Sequence, residues 1–355
     1  MVYRSMLLLI FNKCRSESNR FRRSFSRFSP LNSNALDIKK PPYKVLFFGT
    51  DDFSLHSLGA LLKERILECR RERSDEILTS LDVVTNSERS QVGKYSLARK
   101  IRVFLWPPSF EVNEYDVGLV VSFGRLIPSC VIDKFPLGML NVHGSLLPRW
   151  RGASPVIHCL AEGDTETGIS IMGIEPEHFD TGPILLQKKI DIPPTTIMPD
   201  LRYRLGKLGA ECLIETLRDL PGKLANAKPQ PTEGVCYAPK ITARFARIDW
   251  DLMTAARIYN LERAVKFLYP LTTTWNSLPV RLFDVEVLDW RTTSNRPGYI
   301  SYHRNRRCVV VECAQKTWIS VKYVAVAQKK PIRATDFRNA YVKRTPDPEI
   351  GKMFK

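Results

Sequence analysis

From Tyr43 onward the chain alternates short apolar runs with polar turns. The run Tyr43-Lys44-Val45-Leu46-Phe47-Phe48 closes on Gly49-Thr50-Asp51-Asp52-Phe53, and then Leu55, Leu58, Leu62 and Ile66 recur at the three-to-four spacing of a helix face. That pattern predicts strand, glycine turn and helix, with Ser54 ahead of the helical stretch. Asp82-Val83-Val84-Thr85, Val117-Gly118-Leu119-Val120-Val121 and the segment from Met139 to His143 predict further short buried strands. A polar, basic stretch from Ser87 to Arg102 lies among them. Buried strands alternating with helices indicate an α/β domain built on a doubly wound sheet. The pattern continues with a helix near Pro155 to Ala161, a strand from Gly168 to Met172, a loop from Glu175 to Gly182, a strand from Ile184 to Gln187 and a helix over 200–217.

The period then changes. Lys223-Leu224-Ala225-Asn226-Ala227-Lys228-Pro229-Gln230-Pro231 is poor in large apolar residues and holds two prolines, so it reads as a linker. Beyond it, Ile258, Leu261, Val265 and Leu268 mark one helix face. Short β-rich runs follow at Val280 to Leu288, Gly298 to Tyr302, Cys308 to Cys313 and Thr317 to Val324, a spacing that suggests a small β-barrel. The expected division is a catalytic domain over 43–222, a linker over 223–231, a second domain over 232–345 and a tail over 346–355.

Charge adds a leader and a partner to this picture. The net charge is +17 and the pI near 9.6. Residues 1–40 carry Arg4, Lys13, Arg15, Arg20, Arg22, Arg23, Arg27, Lys39 and Lys40 against Glu17 and Asp37, with a short apolar start from Met6 to Ile10 and many serines. This is the composition of an organellar transit peptide; for a secretory signal the apolar run is too short and too many arginines follow it, and residues 1–42 are expected to be a mitochondrial presequence. The second domain is also basic. Arg281, Arg291, Arg296, Arg304, Arg306, Arg307, Lys316, Lys322, Lys329, Lys330 and Arg333 accompany Tyr299, Tyr302, Trp318 and Tyr323. That combination suits a nucleic-acid platform, and equally a solvated barrel with core aromatics. The eight cysteines form no C-x-x-C pair and lack histidines at metal spacing, so they read as reduced thiols with no metal site. No apolar run approaches the roughly 20 residues that cross a bilayer.

The candidate chemistry lies in Asn141-Val142-His143-Gly144-Ser145-Leu146-Leu147-Pro148-Arg149-Trp150-Arg151-Gly152. Strand side chains alternate between faces, so Asn141 and His143 share one. Phe179-Asp180-Thr181-Gly182 follows as an acidic signal. An aspartic protease needs two such carboxylates, and the chain has one Asp-Thr-Gly. Ser145 lacks the G-x-S-x-G elbow of a hydrolase nucleophile, and Gly49 lacks the further glycines of a dinucleotide site. Asn141, His143 and Asp180 acting together survive these exclusions.

The Asn141-to-Ala153 stretch with Asp180-Thr181-Gly182 closely resembles the signature of the folate-dependent formyltransferases. Phe48-Gly49-Thr50-Asp51-Asp52-Phe53 resembles their opening turn, and Val121-Ser122-Phe123-Gly124-Arg125-Leu126-Ile127-Pro128 resembles a folate-side loop. Ala246-Arg247-Ile248-Asp249-Trp250 is similar to the C-terminal marker of the members that act on methionyl-tRNA. The resemblance runs from Tyr43 to about Arg344. It implies a Rossmann-like formyltransferase domain followed by a small OB-like β-barrel, with 10-formyltetrahydrofolate as donor and no metal. It further implies Asn141, His143 and Asp180 as catalytic residues, with Ser145, Leu146, Leu147, Pro148, Phe123 and Gly124 at the folate. Arg149, Arg151, Arg304, Arg306, Lys329 and Lys330 are the expected contacts to initiator methionyl-tRNA. A monomer without a membrane partner is expected. The competing readings are a formyltransferase acting on a small amine of the glycinamide ribonucleotide type, and an RNA-binding protein with an inactive transferase core.

Overall fold

Residues 39–68, 76–290, 296–345 and 352–355 are described by the structure, a computed structural model. The expected presequence, apart from Lys39 to Pro42, and most of the expected tail lie outside the described residues.

By their contacts the described residues fall into two units. The first takes the chain up to Ala153 together with Gly168–Ile190 and Arg202–Tyr237; the second takes Ser154–Thr167, Asp191–Leu201 and Ala238–Lys355. The first contains β1 (Tyr43–Gly49), α1 (Asp52–Glu68), β2 (Leu78–Thr85), α2 (Gln91–Ala98), β3 (Val103–Leu105), β4 (Val117–Val121), α3 (Ser129–Ile132) and β5 (Met139–His143). Together with β6 (Glu166–Gly173) and β7 (Ile184–Asp191), these strands make a seven-stranded sheet in the order β3-β2-β1-β4-β5-β6-β7. The first five run parallel, and β5 meets β6 antiparallel.

Strand order reverses at β1, which places the ligand crevice of such a sheet beyond the carboxyl ends of β1 and β4. Side chains stitch that edge together. Ser54 Oγ donates to the Val121 carbonyl at 2.6 Å, Thr50 Oγ1 to that of Ser122 at 2.8 Å, and Ser122 Oγ to Asp51 at 2.6 Å. Arg202, on the long helix α5 (Met198–Arg218), binds Asp51 at 2.6 Å and Asp52 at 2.8 Å.

Two elements of this unit depart from the sequence expectation. The polar stretch from Ser87 to Arg102 holds α2, whose N-cap Ser90 accepts from Gly93 N; only Val92, Gly93 and Ser96 of it are buried, so composition masks a three-residue contact stripe. The expected linker is not one. Residues Leu220–Ala225 form α6, Lys228 exchanges two backbone hydrogen bonds with Ile184, and the segment belongs to the first unit.

The second unit carries α4 (Pro155–Glu162), α7 (Ala255–Val265), β8 (Leu271–Trp275), β9 (Leu278–Leu288), β10 (Ile300–His303), β11 (Cys308–Cys313), β12 (Thr317–Val326), β13 (Ile332–Arg333) and α8 (Ala334–Ala340). Its strands pair antiparallel in the order β10-β11-β12-β9-β8, with β13 on β12, in agreement with the β-rich second domain expected. Strand β8 went unpredicted because Thr272, Thr273 and Thr274 count as polar, although their branched side chains suit a pleated strand. Helix α4, expected with the catalytic stretch, packs on α7 instead: Arg257 donates to Glu162 at 2.5 Å, and Gly163 lies against the Asn260 side chain. Among the described residues Cys159, Cys212, Cys236, Cys308 and Cys313 are free thiols as expected, whereas Cys130 takes part in a disulfide.

Candidate active site

At the carboxyl end of β5 the period-two alternation brings Asn141 and His143 to one face, where both meet Asp180. Asn141 Nδ2 donates to Asp180 Oδ1 at 3.1 Å, and His143 Nδ1 lies 3.5 Å from the same oxygen. The other carboxylate oxygen accepts from Gly152 N at 2.8 Å. One carboxylate thus collects an amide, a backbone N–H and an imidazole from the motif identified in the sequence. The ring and the carboxylate are nearly enclosed, with side chains 6% and 9% exposed.

The ring is oriented by a partner the sequence did not reveal. His143 Nε2 lies 2.9 Å from the Trp150 carbonyl, an acceptor only, so Nε2 carries a proton and donates it. A separation of 3.5 Å is too long for a good N–H···O bond. Nδ1 is therefore the ring nitrogen left to meet a ligand, beside the Asp180 carboxylate.

The backbone is bent to achieve this. Trp150 has φ 64° and Asp180 φ 56°, both left-handed, a region in which aspartate is enriched and tryptophan is not. Such conformations cost on the order of 1–3 kcal/mol and persist where surroundings over-determine them. Here the surroundings are specific. Trp150 N donates to Cys236 Sγ at 3.2 Å, Arg151 N to the Cys236 carbonyl at 2.9 Å, and the Arg149 guanidinium lies 4.4 Å from the Trp150 ring centre.

The turn between Ser145 and Pro148 is held from behind. Ser145 Oγ donates to the Arg149 carbonyl at 2.6 Å, Ser170 Oγ to the Ser145 carbonyl at 2.7 Å, and Leu147 N to Ser170 Oγ at 3.0 Å. Gln187 Nε2 reaches the Leu147 carbonyl at 2.9 Å and Ser170 Oγ at 2.8 Å. The side chains of Ser145 and Leu147 are buried, while Leu146 and Pro148 are half-buried.

The same region is what relatives share. The formyl transferase family profile matches residues 109–217, and that of the formyl transferase C-terminal domain matches residues 240–342. The human protein named methionyl-tRNA formyltransferase, mitochondrial, is 42% identical over 316 residues, covering 86% of this chain and 79% of its own length. The chain belongs to the methionyl-tRNA formyltransferase family. Its bacterial side is represented by the enzyme of Alcanivorax borkumensis, 37% identical over 276 residues, 73% of this chain and 80% of the relative. Among solved structures, an N-formyltransferase from Helicobacter canadensis in complex with folinic acid and dTDP-3-aminofucose superposes with a TM-score of 0.57. It is 17% identical, over 79% of this chain and 99% of that one, and shows the same fold.

Within this formyltransferase the remaining expected site residues have mixed placements. Gly124 is exposed, with φ 70° and open space around its Cα. Phe123 is buried, its ring 5.6 Å from that of Phe48 and 5.3 Å from that of Trp106, so the side chain is core and only its backbone faces the loop. Trp150 is likewise buried. Arg149 is exposed, whereas Arg151 donates through Nε and Nη2 to Gln230 Oε1 at 3.1 and 2.7 Å. In the second unit Arg304, Arg306, Lys329 and Lys330 are exposed, Tyr323 is 39% exposed, and Trp318 is buried at 4%. The aromatic platform expected there thus loses Trp318 to the core, where it packs with Leu288, Cys308 and Val310.

Proposed function

We propose that this formyltransferase moves the formyl group of 10-formyltetrahydrofolate to the α-amino group of initiator methionyl-tRNA in the mitochondrial matrix, as a monomer freed of residues 1–42. Asp180 carries the reading: it gathers Asn141, Gly152 and His143 into one enclosed cluster within a family that transfers formyl groups.

The amine needs little activation, because an α-amino group titrates at about 7.7–8.0 and is substantially neutral at matrix pH. It attacks the formyl carbon, a C–N bond forms, and the carbonyl electron pair moves to oxygen. The second N–H of Asn141 and the Nδ1–H of His143 stabilise that oxyanion. The oxyanion then collapses, the bond from carbon to the folate nitrogen breaks with its electron pair going to nitrogen, and a proton from the former amine passes to that nitrogen through His143. Asp180 fixes the Asn141 amide and lies beside the His143 ring. Leu146, Pro148 and the exposed backbone at Gly124 face the folate. Arg149 and the basic surface of the second unit, including Arg304, Arg306, Lys329 and Lys330, meet tRNA phosphates.

The test is incubation of the protein with labelled 10-formyltetrahydrofolate and methionyl-tRNA, uncharged tRNA or glycinamide ribonucleotide. Label is expected on methionyl-tRNA alone. Label on the small nucleotide, or tRNA binding with no transfer, overturns the proposal.

A further inference from the structure

Gln230 lies in the proline-flanked segment that reads as a linker, 50 residues from Asp180, yet its side-chain amide is fully used. Nε2 donates to the Asp180 carbonyl and to the Gly182 carbonyl, both at 2.9 Å. Oε1 accepts from Arg151 Nε at 3.1 Å and Nη2 at 2.7 Å. Two donors and two lone pairs exhaust what a glutamine amide can offer.

The partners belong to the two loops that form the site. Arg151 lies between Trp150, whose carbonyl takes His143 Nε2, and Gly152, whose N–H holds Asp180 Oδ2. Asp180 and Gly182 belong to the loop that delivers the carboxylate. One amide therefore bridges the Trp150–Gly152 loop, whose Trp150 carbonyl takes His143 Nε2, and the loop that delivers Asp180. The carbonyls it satisfies flank Thr181, whose own hydroxyl is turned to Glu175 at 3.3 Å, so no side chain within the turn takes that place. Gly182 is itself pressed against the Gly173 backbone, which leaves the turn little freedom to find another arrangement.

We infer that Gln230 is a positioning residue: it sets the separation of the Trp150–Gly152 and Asp180–Gly182 loops, and through it the approach of Asp180 to His143. The inference rests on the formyl transfer proposed above.

Gln230→Glu is the discriminating variant, since a carboxylate keeps the Arg151 partner but cannot donate to two carbonyls; Gln230→Ala removes both. In each, kcat is expected to fall about 10- to 100-fold, the scale on which small misplacements in an active site register, with KM for either substrate moving less than about threefold. Adding Gln230→Ala to Asp180→Asn should then cost less than about threefold more, because residues in one network are not additive. Independently of activity, the His143 imidazole 15N shifts of the full chain, assigned with His143→Gln, should move in both Gln230 variants toward those of Asp180→Asn. Unchanged His143 shifts in a folded Gln230→Glu protein, or fully additive losses, overturn the inference. A wild-type protein that transfers no formyl group to methionyl-tRNA overturns the proposed function instead, and the 15N comparison still decides the positioning.

Discussion

Replacing Asp180 by asparagine separates the two things this carboxylate does. The charged oxygens accept from Gly152 N at 2.8 Å and Asn141 Nδ2 at 3.1 Å, with His143 Nδ1 at 3.5 Å. An asparagine can keep the first of these by turning its Oδ1 toward Gly152. Its NH2 then falls where Asn141 and His143 point their own donors. Asn141 can rotate its amide to present oxygen, which restores a hydrogen bond at the cost of its donor orientation. The stability loss is then one charge-assisted bond reduced to a neutral one, about 1–2 kcal/mol. Turnover suffers more, because the oxyanion loses the aligned Asn141 donor. One such donor is worth about 2.7–4 kcal/mol, so kcat should fall about 10²- to 10³-fold with the folate KM nearly unchanged. Steady-state formylation of methionyl-tRNA, with a thermal melt on the same preparation, reads both quantities. A folded Asp180→Asn protein with kcat within threefold of wild type, or a loss confined to KM, would refute this account of the cluster.

Other outcomes follow from equally local geometry. Gly182→Ala sets a methyl against the Gly173 carbonyl, a backbone group that cannot swing aside; destabilisation of about 1–3 kcal/mol with loss of turnover is expected in a melt and the same assay. In the second unit, burial raises the Glu262 carboxyl above the usual glutamate value despite the Val285 N–H it accepts at 3.1 Å. A raised folded-state value means that stability is complete below the unfolded value and is lost as pH rises through the folded one. Glu262→Gln should therefore match the wild type in acid and melt higher at pH 7 and above, and a parallel pair of pH–melting curves would contradict this. For tRNA, alanine at each of Arg304, Arg306, Lys329 and Lys330 should flatten the dependence of log affinity on log salt by about one per lost phosphate contact, measured by filter binding. An unaltered slope assigns those side chains to solvent.

Much of the site was legible because strand alternation is a strong rule. Asn141 and His143 had to share a face once Met139 to His143 was read as a strand, and their bond and contact to Asp180 follow from that face. The parallel sheet was legible for the same reason: the apolar runs at Tyr43, Val117 and Met139 coincide with β1, β4 and β5. What escaped was any role played by a backbone group or by a residue whose neighbourhood looks irregular. The Trp150 carbonyl that orients His143 carries no side-chain signal, so the sequence could not point to it.

Gln230 escaped for a related reason. Pro229 and Pro231 strip N–H groups from their segment, so composition makes it look unable to bind anything. Composition, however, reports the hydrogen bonds a segment can make with its own backbone, not those its side chains supply to others. The demand lay elsewhere, in the Asp180 turn. A left-handed residue takes its carbonyl out of regular ladders, and a half-buried carbonyl requires a donor. Thr181, the one hydroxyl in that turn, is committed to Glu175. A donor with two N–H groups and no charge was therefore called for from a distant part of the chain, and Gln230, between two prolines, reaches both carbonyls while leaving its oxygen for Arg151. Accounting for backbone acceptors in the catalytic loops specifies the type of residue required, and the fold specifies which one arrives.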